Sequence, residues 1–176
     1  KPVLIRGRHG CGKSELVYAI AANLKLPVVE RRASQMTEGD LVGLPSINGN
    51  STQFNPPDWF KRACDEAVVL FLDEIDRATI EVRQGCFELT DSRKLNGYHL
   101  HPETRIFAAV NGGKHAQQYQ VGEMDPAELD RWSVFDVEPT VEDWLNWAKT
   151  TNDNGSKCIH PIIWDFINQN HAHLEH

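Results

Sequence analysis

Near the start of the chain stands the octet Gly7-Arg8-His9-Gly10-Cys11-Gly12-Lys13-Ser14, which fits the spacing G-x-x-x-x-G-K-[ST]. A short apolar strand, Val3-Leu4-Ile5, precedes it. A helix-like run from Glu15 to Asn23 follows, with Leu16, Ala19, Ile20 and Asn23 recurring at steps of three and four. Strand, glycine loop and helix in that order leave few folds open. The glycines let the backbone curl so that several N–H groups point inward, and the helix N-terminus adds its positive end. Such a concavity suits phosphate oxygens. Lys13 would reach the β- and γ-phosphates, and the Ser14 hydroxyl would take one place on Mg2+. The predicted contact set for ATP or ADP is Gly7, Arg8, His9, Gly10, Cys11, Gly12, Lys13, Ser14 and Glu15, with His9 and Cys11 filling variable positions.

Strands and helices alternate along the rest of the chain. Leu26 to Glu30 reads as a strand entered through Pro27, and the polar stretch Arg31 to Asp40 has room for one helical turn. Asn48-Gly49 predicts a hairpin between the β-prone pieces 44–47 and 52–54, and Asp58 suits the cap of a short helix over 59–66. Ala67 to Leu72 is a continuous apolar run, as a strand buried on both faces requires, and it ends in Asp73-Glu74-Ile75-Asp76. A helix over 79–90, a hairpin around Asn96-Gly97 and a buried strand over 105–110 follow, broken by Asn111-Gly112-Gly113. A short helix at 126–130 and a strand at 134–137 complete an α/β, three-layer αβα core with a parallel five-stranded sheet, predicted over residues 1–138. Beyond Pro139 the texture turns helical. Thr140 caps a helix through Trp144, Trp147 and Ala148, a polar loop spans 151–156, and Pro161 opens a second helix to Gln169. Residues 139–176 read as the start of a small helical domain.

A chain of 176 residues, 40% hydrophobic, holds one ordinary domain plus part of another. A net charge of −7 argues against a nucleic-acid coat, although a local basic patch stays compatible with it. The longest apolar run falls far short of a membrane span. The four cysteines show no metal-type pairing, and a disulfide at Cys11 would block the glycine loop, so a reduced, cytoplasmic setting is expected. Both ends look trimmed. Leu174-Glu175-His176 reads equally as native sequence or as the opening of an expression tag.

Buried strands of such sheets present functional residues at their C-terminal ends, beside the phosphate loop. Asp73 suits the outer shell of Mg2+. Glu74 can orient and deprotonate a water for in-line attack on the γ-phosphate, whereas Asp76 reads as an acid at a helix N-terminus. Asn111 also ends a buried strand and can bridge the attacking water or the γ-phosphate, or simply form a turn. Arg131 follows a short helix. It acts either as an arginine finger on a neighbouring subunit's ATP or as a surface salt bridge with Asp130 or Glu128.

Taken together these residues resemble an AAA+ ATPase of the MoxR-like, dynein-related branch. Gly7 to Ser14 resembles Walker A, and Val68 to Arg77 resembles that branch's Walker B with its trailing Asp/Asn-Arg. Asn111 stands where sensor 1 would be. Leu129-Asp130-Arg131-Trp132 is similar to the family's Leu-Asp-Arg-Phe around the arginine finger, with Trp for Phe. Gly39 to Gly43 is similar to the entry of a helix-2 insert, and residues 91–104 to a pre-sensor-1 hairpin. The resemblance implies a Mg2+-dependent ATPase working as a ring, a hexamer, on a protein client such as a von Willebrand factor A-domain protein, in a bacterial, archaeal or phage-infected cell. It also implies a sensor 2 arginine in a Ser-Pro-Arg or Ser-Arg-Arg context, and no such segment occurs in these 176 residues.

Two other readings compete with the remodeller. One is a nucleic-acid motor or loader, suggested by Arg93, Lys94, His99, His101 and Arg105 around the second hairpin. The other is a nucleotide-gated assembly module with little turnover.

Overall fold

The computed structural model describes residues 1–112, 124, 126–151 and 155–174. Gly113, residues 152–154 of the expected polar loop, Glu175 and His176 lie outside the described residues. The chain separates into two compact units, Lys1–Val137 and Glu138–His176.

Five strands form the sheet of the first unit: β1 (Val3–Gly7), β2 (Val28–Arg32), β5 (Val69–Asp73), β8 (Arg105–Asn111) and β9 (Ser133–Val137). Their order is β2-β5-β8-β1-β9 and every pairing is parallel. The expected α/β fold with a five-stranded parallel sheet is therefore present. The period-2 alternation of a strand explains the layers. Leu4, Leu70, Leu72, Ile106, Ala108 and Val110 enter one core with Leu41, Phe60 and Leu89. Their alternates Ile5, Val69, Phe71, Phe107 and Ala109 enter a second core with Val17 and Ala21 of α1 (Lys13–Leu24). Val69, Leu70, Phe71 and Leu72 are all fully buried, each such side chain contributing roughly 1.5–3 kcal/mol. A central strand covered on both faces needs this unbroken run.

Helices α2 (Glu38–Val42), α3 (Asp58–Asp65) and α4 (Ile80–Ser92) belong to the first of these cores, through residues such as Leu41, Phe60 and Leu89. Between α2 and α3 stands the hairpin β3 (Leu44–Asn48) and β4 (Ser51–Asn55), closed by Gly49-Asn50 rather than centred on Asn48-Gly49. Gly43 makes its base: φ is 88°, and a Cβ there would lie 1.9 Å from the Asn55 carbonyl oxygen. A second hairpin, β6 (Lys94–Leu95) and β7 (Tyr98–His99), turns through Asn96 and Gly97 at φ 49° and 83°, the type I′ pattern. Its side chains hold the base of the first. Asn96 Nδ2 donates to the Val42 carbonyl at 3.0 Å, and the Tyr98 hydroxyl donates to the Phe54 carbonyl at 3.3 Å. Helix α5 (Pro126–Leu129) leads into β9.

The second unit holds α6 (Val141–Ala148) and α7 (Pro161–Gln169). Thr140 and Asp143 close a capping box at the start of α6. The Trp164 indole N–H donates to the Leu145 carbonyl at 2.9 Å, and Lys149 lies over the Trp164 ring. Among the described helices none is long and apolar enough to cross a membrane.

Candidate functional site

The loop after β1 runs from Arg8 to Gly12 and feeds directly into α1. Gly10 and Gly12 take φ 77° and 87°, which only glycine adopts without strain, and a Cβ on either would meet nothing within 4 Å. Gly12 is the N-cap of α1 and offers no side-chain cap, so the first-turn N–H groups are not capped by a side chain. That arrangement fits a bound anion. The Lys13 side chain is buried, and its ammonium donates to the carbonyls of Gly7 and Arg8 at 3.0 and 2.8 Å and to Asn111 Oδ1 at 3.0 Å. All three ammonium protons therefore have acceptors at the inner edge of the loop. Ser14, half-buried, occupies the second position of α1, and Glu15 is exposed in its first turn. Arg8, His9 and Gly10 are exposed, while Cys11 is half-buried with its sulfur against Gly7.

The ends of β5 and β8 flank this loop because β8 lies between β5 and β1. Asp73 is the last residue of β5, and burial raises its carboxyl above the ordinary carboxylate range, opposed by a hydrogen bond from the Glu74 backbone N–H at 2.9 Å. A half-buried carboxylate at this strand end suits Mg2+, which binds through one or two carboxylates plus phosphate and water oxygens rather than a full protein cage. Among the described residues no cluster of three metal-ligating acids, histidines or cysteines stands. Glu74 takes φ 55° and ψ 40°, a left-handed conformation that costs a non-glycine residue about 1 kcal/mol or more. Glu74 Oε2 accepts a hydrogen bond from the Ser34 hydroxyl, in the turn after β2. Ser34 escaped the sequence reading, since a lone serine in a polar stretch carries no spacing signal.

Asp76 stands, as expected, in the first turn of a short helix, the 3-10 turn Ile75–Arg77, but its side chain does more than favour that N-terminus. It does not cap the following helix, since Thr79 does so through a hydrogen bond from Val82 N–H. Asp76 is instead 5% exposed, and its Oδ2 accepts the Asn111 backbone N–H at 3.2 Å. Burial raises its carboxyl, with the Asn111 hydrogen bond opposing.

Arg131 lies elsewhere. It follows α5, its Nη1 donates to the Ala127 carbonyl at 2.9 Å, and its Nε stands 3.7 Å from Asp91 Oδ1. The expected partners Asp130 and Glu128 are not the ones observed here: Glu128 pairs with Arg83 at 2.9 Å. A cavity of about 720 Å3 beside Arg131 is lined by Val3, Asp91, Arg105 and Asp130, at the N-terminal ends of β1 and β8. The glycine loop leaves the opposite end of β1. At about 3.3 Å per residue, the length of the strand alone puts roughly 13 Å between the two ends. Trp132, the next residue, is buried in the core. At the second hairpin Arg93 turns inward and donates to the carbonyls of His101 and Thr104, both at 2.9 Å, which removes it from the basic cluster.

The AAA domain (dynein-related subfamily) family matches residues 2–132. Among curated proteins the chain is similar to Protein NorQ of Paracoccus denitrificans (strain Pd 1222), 32% identical over 53% of this chain and 35% of NorQ. It is also similar to the denitrification regulatory protein NirQ of Stutzerimonas stutzeri, 29% identical over 81% of this chain and 54% of NirQ. The chain thus spans about half or less of the length of these relatives. A crystal structure of NtrX from Brucella abortus superposes with a TM-score of 0.54 at 16% identity, covering 85% of this chain and 36% of that one, a likeness of fold.

Proposed function

The chain belongs to the dynein-related AAA family, in its MoxR-like branch, and on that premise we propose that it binds ATP with Mg2+ and hydrolyses it. The observation that supports this best is the convergence of Lys13, Asp73, Glu74 and Asn111 at the C-terminal ends of adjacent parallel strands. The backbone N–H groups of the Gly7–Gly12 loop and Lys13 hold the phosphates, with Arg8, His9, Cys11 and Glu15 around them. To reach them, Lys13 exchanges its carbonyl and Asn111 acceptors for phosphate oxygens. Ser14 and Asp73 hold Mg2+, which neutralises phosphate charge. Glu74 takes the proton of the attacking water, and Asn111 orients that water.

Arg131 cannot serve the same nucleotide as its own Lys13, because it sits at the other end of the sheet. We assign it to a neighbouring subunit's ATP, which makes the working form a ring, a hexamer by family analogy, in the cytoplasm. The hairpin β3–β4 exposes Leu44, Ile47 and Phe54. Exposed apolar side chains on this hairpin suit contact with a protein client, of which a von Willebrand factor A-domain protein is one candidate by analogy.

ATP binding and phosphate release, measured on wild type, Lys13→Ala and Glu74→Gln, test the reading. Lys13→Ala is expected to weaken ATP binding about tenfold or more. Glu74→Gln is expected to keep binding and lose turnover by about a hundredfold or more. ATP binding indifferent to Lys13 would refute the site assignment.

A further inference from the structure

Asn111 is tied to a group that the hydrolysis reading leaves without a role, the carboxylate of Asp76. The strand ladder explains why the tie exists. Strand β5 pairs with β8 only as far as Leu72 opposite Ala108, and the chain then leaves the sheet through the left-handed turn at Glu74. On the β1 side Asn111 still lies opposite Gly7. On the β5 side the end of β8 has no strand neighbour, and Asp76 Oδ2 accepts the Asn111 N–H in place of the missing strand carbonyl. The Asn111 side chain in turn accepts from Lys13 at 3.0 Å. Lys13, Asn111 and Asp76 are all more than nine-tenths buried. They form one hydrogen-bonded chain from the phosphate lysine to the turn that carries Glu74.

Burying an anionic carboxylate is costly unless it is fully partnered. Asp76 is not: its Oδ1 is sealed from solvent and meets no donor from another residue among the described ones. A neutral side chain could fill this place more cheaply if filling were its only task.

We propose that Asp76 is a positioning residue for ATP hydrolysis, holding the end of β8 so that the Asn111 amide faces Lys13 and the phosphate loop. This rests on the hydrolysis reading above. Its effect passes through Asn111, and Asp76 itself touches no substrate.

The test is a double-mutant cycle on turnover, joined to hydrogen exchange of the Asn111 amide in the nucleotide-free protein. Asp76→Ala is expected to lower kcat about ten- to a hundredfold with ATP affinity changed less than about threefold. Added to Asn111→Ala, it is expected to cost nothing further. Asp76→Asn keeps an acceptor oxygen and is expected to restore most of the turnover. Exchange protection of the Asn111 amide should fall in Asp76→Ala and persist in Asp76→Asn. If the alanine variant does not fold, Asp76→Leu fills the site without the acceptor. Additive losses in the cycle, or wild-type turnover in Asp76→Ala, would overturn the proposal. Unchanged Asn111 exchange in Asp76→Ala sinks the tether alone. A wild type without turnover sinks the hydrolysis reading, and the catalytic purpose of the tether with it.

Discussion

The Ser34 hydroxyl ties Glu74 Oε2 toward the turn after β2, so on the hydrolysis reading Glu74 turns from Ser34 to meet the attacking water. A hydrogen bond of this kind contributes about 0.5–1.5 kcal/mol net. Ser34→Ala should therefore raise basal kcat about two- to tenfold while leaving KM for ATP near its wild-type value, read by steady-state phosphate release. Asp76 makes a prediction in stability. Burial raises its folded-state pKa above the ordinary carboxylate value, with nearby Glu74 adding to the rise and Arg77 opposing it. The contribution of Asp76 to stability is thus full below the ordinary carboxylate range and is lost as pH rises through the raised value. Asp76→Asn removes that loss and should be more stable than wild type near neutral pH. The gain should vanish below about pH 4 in denaturant melts. These two residues also mark the limit of what the sequence tells. Gly7 to Ser14 and Asp73-Glu74 are contiguous, and their chemistry is written in their spacing. Ser34 and Asp76 act on residues 40 and 35 positions away. Only the sheet order brings those pairs together.

At the scale of elements, the periodic segments were legible because burial on both faces demands unbroken apolar runs, as in Val69 to Leu72. Glycine-marked turns were legible for the same local reason. What spacing could not show is that the two hairpins share a base, since Asn96 reaches Val42 across 54 positions. Gly43 is the point where this base is tightest. Gly43→Ala would drive a Cβ into the Asn55 backbone and hold an unfavourable φ. It is expected to cost about 2 kcal/mol or more and to loosen the β3–β4 hairpin. Thermal unfolding together with proteolysis at residues 44–55 reads both effects. Asn96→Ala should loosen the same hairpin and lower the melt modestly, because an exposed bond is lost and alanine is strained at φ 49°.

For the whole molecule, the decisive fact is the separation of Arg131 from the loop at Gly7 to Lys13 along the sheet. The contact of Arg131 with Asp91 is long and solvent-exposed, so it adds little stability and leaves the guanidinium able to move to a neighbour. One chain then supplies the base and another the arginine. ATP turnover per subunit against protein concentration tests this directly, for wild type, Glu74→Gln, Arg131→Ala and an equal mixture of the two variants. Turnover rising steeply with concentration, with each variant inactive alone and activity regained in the mixture, is the predicted result. Turnover per subunit that stays constant with concentration, and a mixture no more active than its separate components, would contradict a site shared between subunits.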